Sequence, residues 1–289
     1  MRDEGGVLYV IGTPIGNRED LTPRAARVLS EVRLIVAEDT RRLRGLAPAA
    51  GFSARLVSLP APRENDRVAT VLEHLARGES AALVTDAGTP AVSDPGARLV
   101  RAAHEHGFRV VPIAGASASS AALSASGISG SSFLFLGFLP VRGADRGRIL
   151  DEVARSRRTV VLFESPRRLH ATLGELVTRC GPARYVAVCR ELTKVHEQIL
   201  AGPCGTLAAS LPDPVLGEIT VVIEAAHEGA SPAPAPPEVQ ESAEAVLARL
   251  LAEGRSTSQA AREAARQLGR DRRELYRIAV ELGARRADP

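Results

Sequence analysis

The chain has 289 residues, 45% of them hydrophobic, which is enough to bury a real core and longer than one usual domain. The formal net charge of +3 tilts only slightly toward anionic partners, and 3% aromatics without a tryptophan argue against a base-stacking platform for single strands. Cys180, Cys189 and Cys204 lack C-x-x-C spacing, against a disulfide framework or zinc site; the apolar runs fall short of the roughly 20 residues of a membrane span. With no secretory pattern at Met1-Arg2-Asp3-Glu4, a soluble cytoplasmic protein is expected.

In chain order, a strand is expected at Val7 to Ile11, a helix from about Pro23 to Glu31, and apolar runs at Leu34 to Ala37 and Arg55 to Leu59. Val68, Val71, Leu72 and Leu75 recur at helical spacing within about Asp66 to Ala76. A strand at Ala82 to Thr85, a helix from about Pro95 to His106 and a strand at Arg109 to Ile113 follow. Alternation of this kind implies a mostly parallel sheet covered by helices, with ligands collecting beyond the strand carboxyl ends. The small-residue tract Ala114 to Ser120 reads either as a tightly packed helix start or as a close backbone approach to a ligand.

A second half begins at Phe133 to Pro140 and continues through Val160 to Phe163, Tyr185 to Cys189, Glu197 to Leu200 and Glu218 to Glu224. Its strands often follow one another without a helix, so a mixed sheet is expected. His227 to Pro237 is a proline-alanine linker, too poor in apolar bulk to pack. Three helices should follow, at about Glu238 to Ala252, Ser258 to Leu268 and Asp271 to Leu282, with Asp271 as N-cap. They read as a helix-turn-helix bearing many arginines, or as a solvated surface in which Glu263, Glu274 and Glu281 interleave those arginines. The expected domains are therefore 1–120, 121–226, a 227–237 linker and a 238–289 helical unit.

Two loops stand out. Gly12-Thr13-Pro14-Ile15-Gly16-Asn17 and Asp86-Ala87-Gly88-Thr89-Pro90 each follow an apolar run, where glycine lets bare backbone meet a ligand and proline fixes φ. No G-x-G-x-x-G opens a helix and no Gly-Lys-Ser/Thr follows a glycine loop, which disfavours a nicotinamide dinucleotide or nucleoside triphosphate.

These loops, together with Ala37-Glu38-Asp39-Thr40-Arg41, Ser93-Asp94-Pro95-Gly96, Phe163-Glu164-Ser165-Pro166-Arg167-Arg168-Leu169 and Arg190-Glu191-Leu192-Thr193-Lys194, resemble the ribosomal RNA small subunit methyltransferase I family of the tetrapyrrole methylase superfamily. The resemblance runs from about Leu8 to Glu224, and the C-terminal helices resemble the family's small accessory domain. It implies two α/β domains, a mostly parallel N-terminal sheet and a mixed second sheet, with a small helical domain. It further implies an S-adenosylmethionine-dependent enzyme, usually a homodimer, that methylates a cytidine ribose 2′-hydroxyl in small-subunit rRNA or the assembled small ribosomal subunit. The cofactor positions carried over are Pro14 in the first loop, Ala87, Gly88, Thr89 and Val92 in the second, Ser117 and Ala118 in the third, and Glu164 and Leu192 from the second half.

Methyl transfer is an in-line displacement that needs positioning and a proton acceptor, with no covalent nucleophile and no metal. Glu38 and Asp39, at a strand end, are candidates for the acceptor, with helix capping or an ion pair as the alternative. Lys194, the only lysine, could act as a base if desolvated. Otherwise it would hold RNA phosphates with Arg41, Arg42, Arg167, Arg168 and Arg190. The segment Pro60-Ala61-Pro62-Arg63-Glu64-Asn65 departs from a histidine-asparagine-glutamate cluster common in the family, and Ala114-Gly115-Ala116 from its proline-glycine-proline turn.

Overall fold

The computed structural model describes residues 5–46, 50–59, 64–212, 214–226, 243–253, 255–268 and 271–285. Its first sheet comprises β1 (Val7–Ile11), β2 (Leu34–Ala37), β3 (Arg55–Ser58), β4 (Ala81–Val84) and β5 (Arg109–Ile113), in the order β3-β2-β4-β1-β5. Every pairing in it is parallel. Side chains alternate across a strand. Tyr9 and Ile11 of β1 and Ala82 and Val84 of β4 therefore meet Val28 and Leu29 of α1 (Pro23–Glu31) on one face. Leu8, Ala81 and Leu83 face the other side, against Val71 and Leu75 of α3 (Glu64–Ala76) and Leu99 of α4 (Ala97–Glu105). Burial on both faces explains why these strands read as unbroken apolar runs. A short helix, α2 (Thr40–Leu43), follows β2, with Asp39 as its N-cap.

Chain order places β4 and β5 on either side of β1, so the loops leaving these three strands are neighbours. Thr13 and Gly88 stitch the first two together by reciprocal backbone bonds of 2.9 and 3.1 Å. The third is pressed onto the first: a Cβ on Gly115 would lie 2.6 Å from the Gly12 carbonyl carbon. Only a residue without a side chain fits there. The tract 114–120 is thus a tightly packed helix start, with Gly115 against the Gly12 backbone and Ser117 as the N-cap of α5 (Ala118–Ala125).

The second sheet contains β6 (Phe133–Phe138), β7 (Thr159–Glu164), β8 (Tyr185–Arg190), β9 (Gln198–Pro203) and β10 (Ile219–Ile223), in the order β6-β7-β10-β8-β9. Only β6 and β7 run parallel, so the sheet is mixed. Helices α6 (Ala144–Arg155), α7 (Leu169–Cys180) and α8 (Cys204–Ser210) cover one face, where Leu150, Leu173 and Leu207 pack on Leu162, Val188 and Val221. The opposite face, through Val161, Ala187 and Val222, receives Ala122 of α5 and Ile15 of the first loop. A helix continuing from the first sheet thereby docks on the second. Both sheets lie within one unit, Met1–Ala233.

The second unit is Pro234–Pro289. Within it α9 (Ala243–Ala252), α10 (Thr257–Leu268) and α11 (Arg272–Arg285) bury Leu247, Leu250, Ala261, Ala264, Leu275 and Ala279 in their own core. Asp271 Oδ1 accepts from the Arg273 and Glu274 backbone N–H groups at 2.8 and 3.1 Å, the expected N-cap. The expected linker, 227–237, lies outside the described residues, as do residues 60–63 and 269–270. Among the described residues no helix is long and apolar enough to cross a membrane.

Candidate active site

A cavity of about 370 Å³ opens where the loops after β1 and β4 and the start of α5 meet the second sheet. The first half contributes Ile15, Ala87, Gly88, Thr89, Val92, Ser93, Asp94, Ser117, Ala118 and Ser119. Phe138, Phe163, Glu164 to Pro166, Cys189, Leu192 and Gly217 to Thr220 close the other side. Its size suits a small organic ligand. The first wall is made of small residues because backbone itself forms the surface. Gly88 takes φ +82°, and a Cβ there would meet only Ile15 Cγ2 at 3.5 Å and Ala116 O at 3.9 Å. Thr89 Oγ1 donates to Ala116 O at 3.3 Å, tying the second loop to the third.

The lining charge is one-signed. Asp94, Glu164 and Glu218 are its ionisable carboxyls, and no arginine, lysine or histidine lines the cavity among the described residues. An anionic ligand such as a nucleotide phosphate would find no cationic partner there, whereas a sulfonium would sit in a favourable field. Phe138 and Phe163, tilted with centroids 5.5 Å apart, add apolar aromatic surface. Small residues for close approach, apolar surface and negative charge fit S-adenosylmethionine.

Of the nine cofactor positions expected from sequence, Ala87, Gly88, Thr89, Val92, Ser117, Ala118, Glu164 and Leu192 line this cavity. Pro14 does not: it is buried, and its neighbour Ile15 reaches the wall. The Glu164 side chain is completely buried, and its carboxylate is committed to the protein. Oε1 pairs with Arg168 Nη2 at 2.6 Å and accepts from Ser165 N at 2.7 Å, while Oε2 accepts from Thr172 Oγ1 at 2.6 Å. Arg146 Nη2 donates to that same Thr172 oxygen at 2.8 Å and bonds Glu175. This chain of bonds anchors β7, α6 and α7 behind the cavity.

The three proton acceptors expected from sequence all lie outside the lining. Asp39 caps α2 and chelates Arg41, whose hydrogen bonds pull its pKa down to about 2. Glu38 has a raised pKa, first through burial and then through the negative charge of Asp86. Lys194 bonds Glu191 at 2.8 Å and Glu218 at 3.0 Å. Burial lowers its pKa, but the hydrogen bonds to both glutamates outweigh that and raise it overall, so Lys194 is not the neutral amine a general base requires. Cys189, which does line the cavity, has its thiol pushed up to about 11 by burial and is protonated at neutral pH.

The arginines differ in availability. Arg41 has 84% of its side chain exposed and Arg42 lies 3.4 Å from Asp86, both in α2 after the end of β2. Arg167 is exposed, Arg168 is held by Glu164 and the Leu139 carbonyl, and Arg190 bonds Gln198 and the Leu216 carbonyl. Sequence reasoning missed Ile15, Phe138, Glu218 and above all Asp94. The Ser93-Asp94-Pro95-Gly96 motif was the available signal, since its turn chemistry marks a loop at a strand end. Asp94 lines the cavity half-buried, with a pKa raised to about 6 by burial and by the charges of Glu38 and Asp86.

Comparison with known proteins agrees with this geometry. The family model Tetrapyrrole (Corrin/Porphyrin) Methylases matches residues 7–208, and the RsmI C-terminal HTH domain matches residues 237–283. The chain is 41% identical to a Ribosomal RNA small subunit methyltransferase I from Synechocystis sp., covering 96% of this chain and 99% of that protein. It is 40% identical to the protein of the same name from Neisseria meningitidis, covering 96% and 94% respectively. Uroporphyrin-III C-methyl transferase from Thermus thermophilus, solved complexed with S-adenyl homocysteine, shares the fold with a TM-score of 0.54 at 20% identity, over 75% of this chain and 97% of that one. With its two sheets, its three convergent loops and relatives matching along nearly its whole length, the chain belongs to the tetrapyrrole methylase family and, within it, to the ribosomal RNA small subunit methyltransferase I group.

Proposed function

We propose that the chain is an S-adenosylmethionine-dependent methyltransferase acting on the ribose 2′-hydroxyl of a cytidine in small-subunit rRNA. The observation that carries this reading is the cavity at the three loop ends, walled by Ala87, Gly88, Ser117 and Ala118 and bearing only negative ionisable groups among its described residues. The methyl donor supplies an electrophilic carbon on a sulfonium, and the protein must hold it and the nucleotide in line. Gly88 and Ala118 let backbone approach the donor, and Phe138 and Phe163 offer a face to an aromatic base. The half-buried Asp94 carboxylate favours the cationic donor over its neutral product.

Arg41 and Arg42 in α2, with Arg167, supply charge for the RNA backbone, which lies outside the cavity because the cavity itself would repel phosphate. The helical unit from Pro234 onward adds arginine-bearing surface for the same partner, either free rRNA or the assembled small subunit. We place this work in the cytoplasm and expect a homodimer. The test is incubation of unmodified small subunits with isotopically labelled S-adenosylmethionine, followed by nucleoside mass mapping. Label in a 2′-O-methylcytidine supports the reading. Label on a base, or in a tetrapyrrole but not RNA, overturns it.

A further inference from the structure

We propose that Asp94 is the group that takes the proton from the attacking ribose hydroxyl, a role that rests on the function proposed above. The cavity contains three carboxyls, and two are committed elsewhere. Both Glu164 oxygens are bound by Arg168, Ser165 N and Thr172. Glu218 pairs with Lys194 and is 73% exposed, turned toward solvent at the far rim. Asp94 instead lines the cavity half-buried on the side of the first sheet, next to Val92 and Ser93 and on the same wall as Thr89 and Ser117.

The chain fixes that position at some conformational cost. Ala91 and Ser93, neither a glycine, adopt φ +66° and +63°, and Gly96 adopts φ +127° where a Cβ would meet Leu83 Cδ2 at 2.8 Å. The groups facing Asp94 are Glu38 at the end of β2 and Asp86 after β4, with Arg42 beside Asp86. Thr85, buried beside Asp94, offsets part of the rise in the Asp94 pKa through its side-chain hydroxyl. Glu164 and Glu218 share the cavity from the second sheet. A carboxyl poised near 6 is mostly ionised at pH 7 yet basic enough to accept a proton as the new bond forms.

The balance of the step is simple. The hydroxyl oxygen forms a bond to the methyl carbon, the carbon–sulfur bond breaks with its electron pair going to sulfur, and the hydroxyl proton moves to a carboxylate oxygen of Asp94. Positive charge on sulfur and negative charge on Asp94 vanish together, so the step leaves the net charge of the cavity unchanged.

The experiment compares wild type, Asp94→Asn and Asp94→Glu in single-turnover methylation of unmodified small subunits from pH 5 to 9, with calorimetric titration of S-adenosylmethionine alongside. The wild-type rate should fall about tenfold per pH unit below about 6. Asp94→Asn should lose at least about 100-fold in rate and the acid limb with it, while binding the methyl donor within about threefold of wild type. Asp94→Glu should regain part of the rate together with the acid limb. Asp94→Asn activity within threefold of wild type, an acid limb persisting in that variant, or parallel loss of donor binding would overturn the assignment. A wild type that binds the donor but leaves ribose unmethylated would instead sink the proposed function, and the role of Asp94 with it.

Discussion

Replacing Glu164 by glutamine tests whether this carboxylate holds the protein together or holds the ligand. The substitution preserves shape and removes the charge. One amide oxygen can still accept from Arg168 and Ser165 N, which approach at 2.6 and 2.7 Å. The amide NH2 then faces Thr172 Oγ1 at the 2.6 Å contact, and that oxygen already receives a donor from Arg146 at 2.8 Å. The hydroxyl can accept from both, but its own proton then loses the carboxylate that received it, and a buried donor left unsatisfied costs about 1–3 kcal/mol. Arg168, only 22% exposed, loses its ionic partner as well, and breaking a buried pair from one side costs about 3–5 kcal/mol. Because the amide keeps part of the bonding, we expect about 3 kcal/mol of lost stability by urea unfolding at unchanged m-value, and a double-mutant cycle with Thr172→Val should show strong coupling. A loss below about 1 kcal/mol, with donor affinity falling sharply, would refute the structural role and make Glu164 a direct ligand.

Other consequences follow from the same geometry. Gly115→Ala drives a methyl to 2.8 Å from Gly12 Cα, so thermal melting should show about 2 kcal/mol of destabilisation, along with weakened donor binding as the first and third loops part; an unchanged melt would show that these loops yield freely. Glu38→Gln removes a negative neighbour of Asp94, which then ionises more easily, so the acid limb of the pH–rate profile should move down by roughly half a unit to one unit. An upward shift would contradict the assigned coupling. Arg41→Ala with Arg42→Ala should weaken RNA binding across sequences and flatten its salt dependence by about 0.7–0.9 per lost phosphate contact, measured by fluorescence anisotropy. An unaltered salt slope would place the RNA elsewhere.

Much of the fold is legible in the chain because its signals are local. Unbroken apolar runs such as Leu34 to Ala37 mark strands buried on both faces, and glycine with proline after Ile11 and Thr85 marks loops where backbone is exposed. Eight of the nine positions that the resemblance implied for the cofactor line the cavity, and Ala87, Gly88, Ser117 and Ala118 among them are small residues after strand ends that leave space. Charge chemistry is not local. Lys194 looks singular as the one lysine, yet its state depends on Glu218, brought beside Glu191 by the pairing of β8 with β10. Asp94 reads as one more turn aspartate until the neighbouring ends of β2 and β4 set Glu38 and Asp86 near it. Strand β9 runs on to Pro203 because its whole length pairs with Tyr185–Arg190, a partner that periodicity cannot reveal.

Calorimetric titration of S-adenosylhomocysteine into wild type and Ala118→Phe tests most directly whether the methyl donor occupies the space between the two sheets. Ala118 lines that cavity at the start of α5, so a phenyl ring there would take the ligand's place. Wild type should bind one ligand per chain, and the folded variant should bind none at saturating concentrations. Equal affinity in both proteins would contradict the account at its centre.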